Sequence, residues 1–116
     1  MKKKTKKVKR PKTTVKLVIT RKVLGKAPEQ YSFNLHDGRK IKSVYELVDE
    51  LETMSEDAFK QFVTGTENHF ANWIEGVFSE KELANEIRQM HNKIDTQRAL
   101  LKHLVRELTK QVHKKK

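Results

Sequence analysis

Eight of the first twelve residues are cationic and none is acidic: Lys2, Lys3, Lys4, Lys6, Lys7, Lys9, Arg10 and Lys12. Lys16, Arg21, Lys22 and Lys26 continue the series. A phosphate backbone concentrates negative charge, and each phosphate neutralised by a cation releases condensed counterions. A lysine-rich arm therefore grips such a polymer without needing defined geometry. Ten lysines against two arginines in residues 1–30 favour point-charge contact over the bidentate base reading at which arginine excels. The chemistry expected of these residues is sequence-tolerant binding of nucleic acid. They separate DNA from RNA only weakly, and DNA is the expectation. An anionic membrane surface, an acidic protein partner or a localisation tail would use the same charges.

A second basic set lies near the C-terminus. Arg98, Lys102, Arg106 and Lys110 are four residues apart, and Lys114 extends the row. On a helix this spacing makes a ridge that could follow a phosphate backbone. A solvated helix face would read the same way, and cations near a helix C-terminus are favoured with no ligand at all.

No constellation for catalysis accompanies these cations. There is no cysteine, which removes thiolate nucleophiles, zinc–thiolate sites and disulfides together. His91, His103 and His113 are spaced by 12 and 10, not by the three or four that puts two ligands on one helix face, and His36 and His69 are isolated. The acids from Glu46 to Asp57 form a dense run rather than a segregated pair. A Gly-rich phosphate loop and a nucleophile elbow are missing. The expectation is a non-enzymatic protein with no metal and no cofactor.

Charge is unevenly distributed. Residues 1–30 hold twelve Lys or Arg and one acid, Glu29, whereas residues 31–110 hold eleven bases and fourteen acids. Cationic tails on a mildly acidic body suggest arms that grip a polyanion and a body that holds or pairs them. The acidic body is also a candidate holder of the arm in the free state, or the site of a protein partner. Residues 1–12 cannot bury enough apolar surface to offset their ordering entropy, and disorder is expected there when free. The longest aliphatic runs are three residues, far short of the roughly 20 that a membrane-spanning helix needs. An intracellular, cytoplasmic or nucleoid-associated chain is expected.

The elements that must position these residues follow from periodicity. Residues 13–24 alternate, with Val15, Leu17 and Ile19 on one face, and read as a strand. Tyr31, Phe33 and Leu35 alternate again, Asp37-Gly38 is a tight-turn signal, and Ile41 suits a return strand. Ser43 with Glu46 forms a capping box for a helix that buries Val44, Leu47, Val48 and Leu51. Ser55 caps a second helix with Phe59, Phe62 and Val63, and Gly65 breaks it. Thr66 is expected to cap a third over residues 67–78, with Phe70, Trp73, Ile74 and Val77 inward. That helix carries no Lys or Arg, which argues against a helix-turn-helix reader.

Ser79 and Glu82 suggest another capping box, and nothing stops a helix from there to the terminus. Leu83, Ile87, Met90, Ile94, Gln97, Leu101, Leu104, Leu108 and Gln111 are spaced alternately by four and three. This is a heptad seam of about 43 Å at 1.5 Å per residue. Its apolar members (Leu83, Ile87, Met90, Ile94, Leu101, Leu104, Leu108) are expected to associate with another copy, most simply as a dimer, because the body is small for covering so long a helix. Packing of the helix along its own domain is the alternative.

The middle of the chain carries more particular motifs. DGRKIKSVYELVDELETMSEDAFKQFV is followed by ENHFANWIEGVFSEKELANEI, with Asn68 to Ile74 and Glu82-Leu83-Ala84 as the most specific parts. This stretch, residues 31 to about 90, resembles an uncharacterised domain family of archaea and candidate-phylum bacteria. Its members read as a strand, a D-G turn, L-x-E-L-x-x-x-L-x-x-M, N-D-F-A-N-W-I and E-L-A. The family has no established activity, so the resemblance implies a fold more than a function. It commonly has His where this chain has Phe62 and Asp where it has His69. If those two formed a polar pair with a chemical role, this chain lacks both halves, which implies a structural domain here.

The sequence thus predicts an α+β chain with a small antiparallel sheet of two or three strands, three short helices and a long C-terminal heptad helix. The expected division is a basic arm (1–12), a small domain (13–79) and an oligomerising helix with a basic end (80–116). The expected function is nucleoid- or chromatin-like binding with bridging by paired copies. The alternative is a protein-interaction or ribosome-associated module whose arm is only a docking tail.

Overall fold

Asp37 and Gly38 turn the chain because Gly38 adopts φ +93°, a conformation that costs glycine little. The turn is closed by Leu35 N–H and Arg39 C=O at 2.8 Å and by Gly38 N–H donating to Leu35 C=O at 3.1 Å. It joins β1 (Phe33–Asn34) to β2 (Lys40–Ile41), antiparallel, with Phe33 opposite Ile41 and Asn34 opposite Lys40. These features belong to a computed structural model that describes residues 24–114, with side chains to residue 112. The arm and most of the expected strand at 13–24 lie outside the described residues. Upstream of β1 the backbone forms a 3₁₀ turn, Glu29–Tyr31, and Ala27 N–H bonds Lys42 C=O at 2.6 Å.

Five helices follow: α1 (Val44–Thr53), α2 (Glu56–Phe62), α3 (His69–Phe78), α4 (Lys81–Arg88) and α5 (Lys93–Lys114). With the two-stranded sheet they make an α+β fold. Helix α1 begins at the expected cap, where Glu46 N–H donates to Ser43 Oγ at 3.0 Å. Glu46 carboxylate reaches back one residue further than a standard box, accepting from Lys42 N–H at 2.7 Å. Ser55 caps α2 by accepting from Ala58 N–H at 3.0 Å.

The core lies where the hairpin, α1, α3 and α4 converge. Val44, Leu47, Leu51, Phe59, Phe70, Ile74, Leu83 and Ile87 are fully enclosed. Phe33 holds the sheet to the helices through rings 5.0 Å from Phe70, 5.4 Å from Phe62 and 5.7 Å from Trp73. Trp73 satisfies its indole N–H with Tyr31 C=O at 2.7 Å, which permits its burial.

Three expected helix boundaries are corrected. Asn68, not Thr66, caps the third helix by accepting from Ala71 N–H at 2.9 Å. Residues 64–67 are instead a turn in which Thr64 Oγ1 accepts from Glu67 N–H. Ser79 and Glu82 form no capping box: Ser79 is left-handed at φ 58° and closes α3 with its N–H on Glu75 C=O. The helix expected from residue 80 onward is two helices, so four short helices precede the long one, not three. Asn92 causes the break. It accepts from Asp95 N–H at 2.8 Å while its amide donates to Asp95 carboxylate at 2.9 Å. Upstream, Gln89 and Met90 N–H fold back on Glu86 and Ile87 C=O in the tightened bonds of a helix end.

Helix α5 then packs against α1 and α4 through Thr96, Ala99, Leu100 and Leu104. Lys93 donates to Leu51 C=O at 3.3 Å and Gln97 to Val48 C=O at 3.0 Å, pinning α5 along the later part of α1. No helix among the described residues is long and apolar enough to cross a membrane.

Candidate nucleic-acid interface

Helix α5 buries one face in the body and leaves the opposite face in solvent. Arg98, Lys102, Arg106 and Lys110 are all exposed there. Four residues turn a helix by about 400°, so each member of the row is displaced about 40° from the last. The ridge consequently winds around α5 over about 18 Å rather than running straight. Its two ends differ electrostatically. Lys110 pairs with Glu107 at 3.2 Å, and Arg106 donates to His103 Nδ1 at 3.2 Å. Arg98 and Lys102 make no ion pair among the described residues, which leaves their charges without a neutralising partner there. Lys114 ends the described backbone of α5. The arm candidates from Lys2 to Lys16 lie outside the described residues.

Some of the body's acids are held in local pairs with bases. Arg39 binds Glu50 through two bonds of 2.7 and 2.9 Å and Asp37 through one of 2.8 Å. Its amide and guanidinium hold the Asp37 carboxyl below the usual aspartate range. Glu29 accepts from Lys42 and Lys40, and those bonds lower its pKa, Lys42 first. Lys42 is raised in return by the Glu29 carboxylate. Arg88 joins α3 to α4 through Glu75, Asn72 and Asn85. Asp49, Glu52 and Asp57 of the acidic run are exposed on α1 and α2.

The expected pairing seam is divided by the fold. Leu83, Ile87 and Leu104 are buried in the chain's own core, and Met90 is half-buried against it. Ile94, Leu101 and Leu108 are exposed. With Val105 and Val112 they form an apolar stripe beside Arg98 and Lys102. Near its middle this stripe forms one wall of a groove of about 440 Å³, where Leu101, Leu104, Val105 and Leu108 face Leu24 and Tyr45. Sequence reasoning missed this groove. Tyr45 is the one signal that could have found it, an aromatic placed off the apolar face of α1.

A second missed feature is His103. Its Nε2 is buried with no hydrogen-bond partner, 3.6 Å from Glu80 carboxylate and 4.0 Å from that of Glu107. Arg106 can only donate, so Nδ1 is the acceptor and the neutral ring carries its proton on Nε2, towards Glu80. The His103–Glu107 spacing is visible in the sequence, but Glu80 arrives only through the fold. A polar hollow of about 340 Å³ lies between Thr64–Asn68, Asn72, Arg88 and His91. Among the described residues no group of three or more His, Cys, Asp or Glu is placed to hold a metal.

Known protein families, curated proteins and solved structures offer no match to this chain. The kinship suggested by Asn68–Ile74 and Glu82–Ala84 therefore rests on those residues alone. They are structural in this fold: Asn68 caps α3, Phe70, Trp73 and Ile74 are core, and Leu83 and Ala84 pack beneath α5.

Proposed function

We propose that this chain binds nucleic acid without catalysing a reaction on it, tolerantly of sequence and with DNA as the expected polymer. The observation that carries the reading is the concentration of twelve cations against one acid in residues 1–30. Arg98 and Lys102 on α5, exposed and without an ion pair among the described residues, support it, since they offer a second set of phosphate contacts on a rigid element. The arm lysines supply most of the charge; the ridge orients the polymer on the body. Bridging by two copies would need the exposed stripe Ile94, Leu101, Val105, Leu108 and Val112, because the remainder of the heptad seam is consumed inside the fold.

The test is binding to labelled duplex DNA across a salt series, with light scattering in parallel for mass. A steep fall in affinity, with a log–log slope of about −0.9 per phosphate neutralised, is the expected result. A dimeric mass would add bridging. Weak binding with a shallow slope assigns the arm to a docking or localisation role and sends the search to a protein partner of the body.

A further inference from the structure

The groove between α1 and α5 leaves large apolar side chains in water: Tyr45 is 66% exposed, Leu101 42%, Val105 59% and Leu108 54%. Such a surface on one face of a small domain calls for a cover. We propose that the cover is the chain's own residues 13–23, laid in this groove so that the basic arm is tethered to the helix that carries Arg98 and Lys102.

Three observations favour this occupant. Leu24, the first described residue, is itself a wall of the groove, so the preceding segment starts there. The segment has matching chemistry: Val15, Leu17 and Ile19 alternate and put three apolar side chains on one face when extended. Its reach is sufficient. Eleven extended residues span about 36 Å at 3.3 Å each, and the groove wall from Leu101 to Leu108 rises only about 10 Å along the helix.

A second copy is the competing occupant, but it must arrive from free solution. A segment joined directly to the groove is present at an effective concentration of millimolar order.

The inference deepens the nucleic-acid reading and rests on it for its consequence alone; it takes Leu101, Val105 and Leu108 from the pairing of two copies, so bridging through that stripe is not part of it. With Val15, Leu17 and Ile19 on the groove side of an extended segment, Lys16 falls on its other side, and the arm and the ridge, remote in sequence, are tied to one helix. A polymer held by the arm would be delivered to the ridge.

Methyl–methyl NOE spectroscopy on the full chain, without nucleic acid, tests the docking. Cross-peaks are expected between the methyls of Val15, Leu17 or Ile19 and those of Leu101, Val105 or Leu108. Leu17→Asp should abolish them and move the amide signals of the groove while leaving those of α3 and α4 in place. An absence of cross-peaks in the wild-type chain overturns the proposal. So does their appearance only between differently labelled chains in an isotope-filtered mixed sample, which would give the groove to a second copy. The DNA titration is read separately. Cross-peaks with no DNA binding keep this inference and discard the function proposed above, while steep DNA binding without cross-peaks does the reverse.

Discussion

Asn68 shows how much one side chain can join. Its Oδ1 accepts from Ala71 N–H to start α3, and its Nδ2 donates to Ile87 C=O at 3.1 Å to finish α4. The residue is buried, so neither bond is readily replaced by water. Asn68→Ala should cost about 1 kcal/mol for the cap and about 0.5–1.5 kcal/mol for the second bond, since Ile87 C=O keeps Met90 N–H. Asn68→Ser keeps the cap but cannot reach Ile87, and should recover only the first part in urea unfolding. Equal stability of the Ser variant and the wild type would refute the second bond. At the hairpin, Glu29 and Asp37 give a prediction in pH. Both carboxyls are held below their unfolded values, so their contribution is fully present above about pH 4.3 and 3.9 respectively. It is lost as pH falls through the depressed folded values. NMR titration of the two side-chain carboxyl carbons should place both midpoints below those of a peptide spanning residues 29–42. Coincident midpoints would mean the Lys42 and Arg39 contacts do not persist in solution. Asn68 was visible in the sequence as part of a motif. Its role was not, because Thr66 is an equally good cap by type, and only the fold brings Ile87 within reach.

At the scale of elements, the helical apolar faces were legible and the interruptions were not. Val44, Leu47, Val48 and Leu51 follow the helical period and are all buried. The run from Leu83 to Gln111 follows a heptad just as well, yet it is cut at residues 89–92. Neither glycine nor proline marks the cut. Asn92 followed three residues later by Asp95 is a start signal, and it wins because the bend lets Leu83 and Ile87 reach one side of the core and Leu100 another. The two-stranded antiparallel sheet falls within expectation, but its first strand is shorter than the alternation implied, for a similar local reason. The alternation at Tyr31, Phe33 and Leu35 suggested a longer strand, but Pro28 and Glu29 accept from Tyr31 and Ser32 N–H in a 3₁₀ turn, leaving a pair of two-residue strands. Asn92→Ala removes the cap at the bend and should lower stability by about 1 kcal/mol in thermal or urea unfolding. If the bend were incidental, α4 and α5 would fuse in this variant with no loss, and helical ellipticity would rise.

The whole molecule separates charge from fold: twelve of its cations fall in residues 1–30, and among the described residues no Lys, Arg, Asp or Glu is buried in the core. This separation was the part of the candidate site most readable from sequence, because charge runs need no tertiary information. What the sequence could not give was the rotation of the ridge, whose far end is occupied by Glu107 and His103 while Arg98 and Lys102 remain open. The two ends should therefore behave differently if the proposed function holds. Neutralising Arg98 and Lys102 together with alanine removes up to two phosphate contacts and should lower the magnitude of the log–log salt slope by about 1.8 on duplex DNA. The same treatment of Lys110 should change the slope much less, since its Glu107 partner already discounts its charge. Both surfaces are solvent-exposed, so unfolding midpoints should stay near that of the wild type and the comparison remains one of binding. Slopes equal to that of the wild type for both sets of variants would remove α5 from the interface and leave the N-terminal arm to carry binding alone. Deleting residues 1–12 would then be expected to abolish the salt dependence almost entirely. A residual steep slope after that deletion would instead restore α5 as the principal contact.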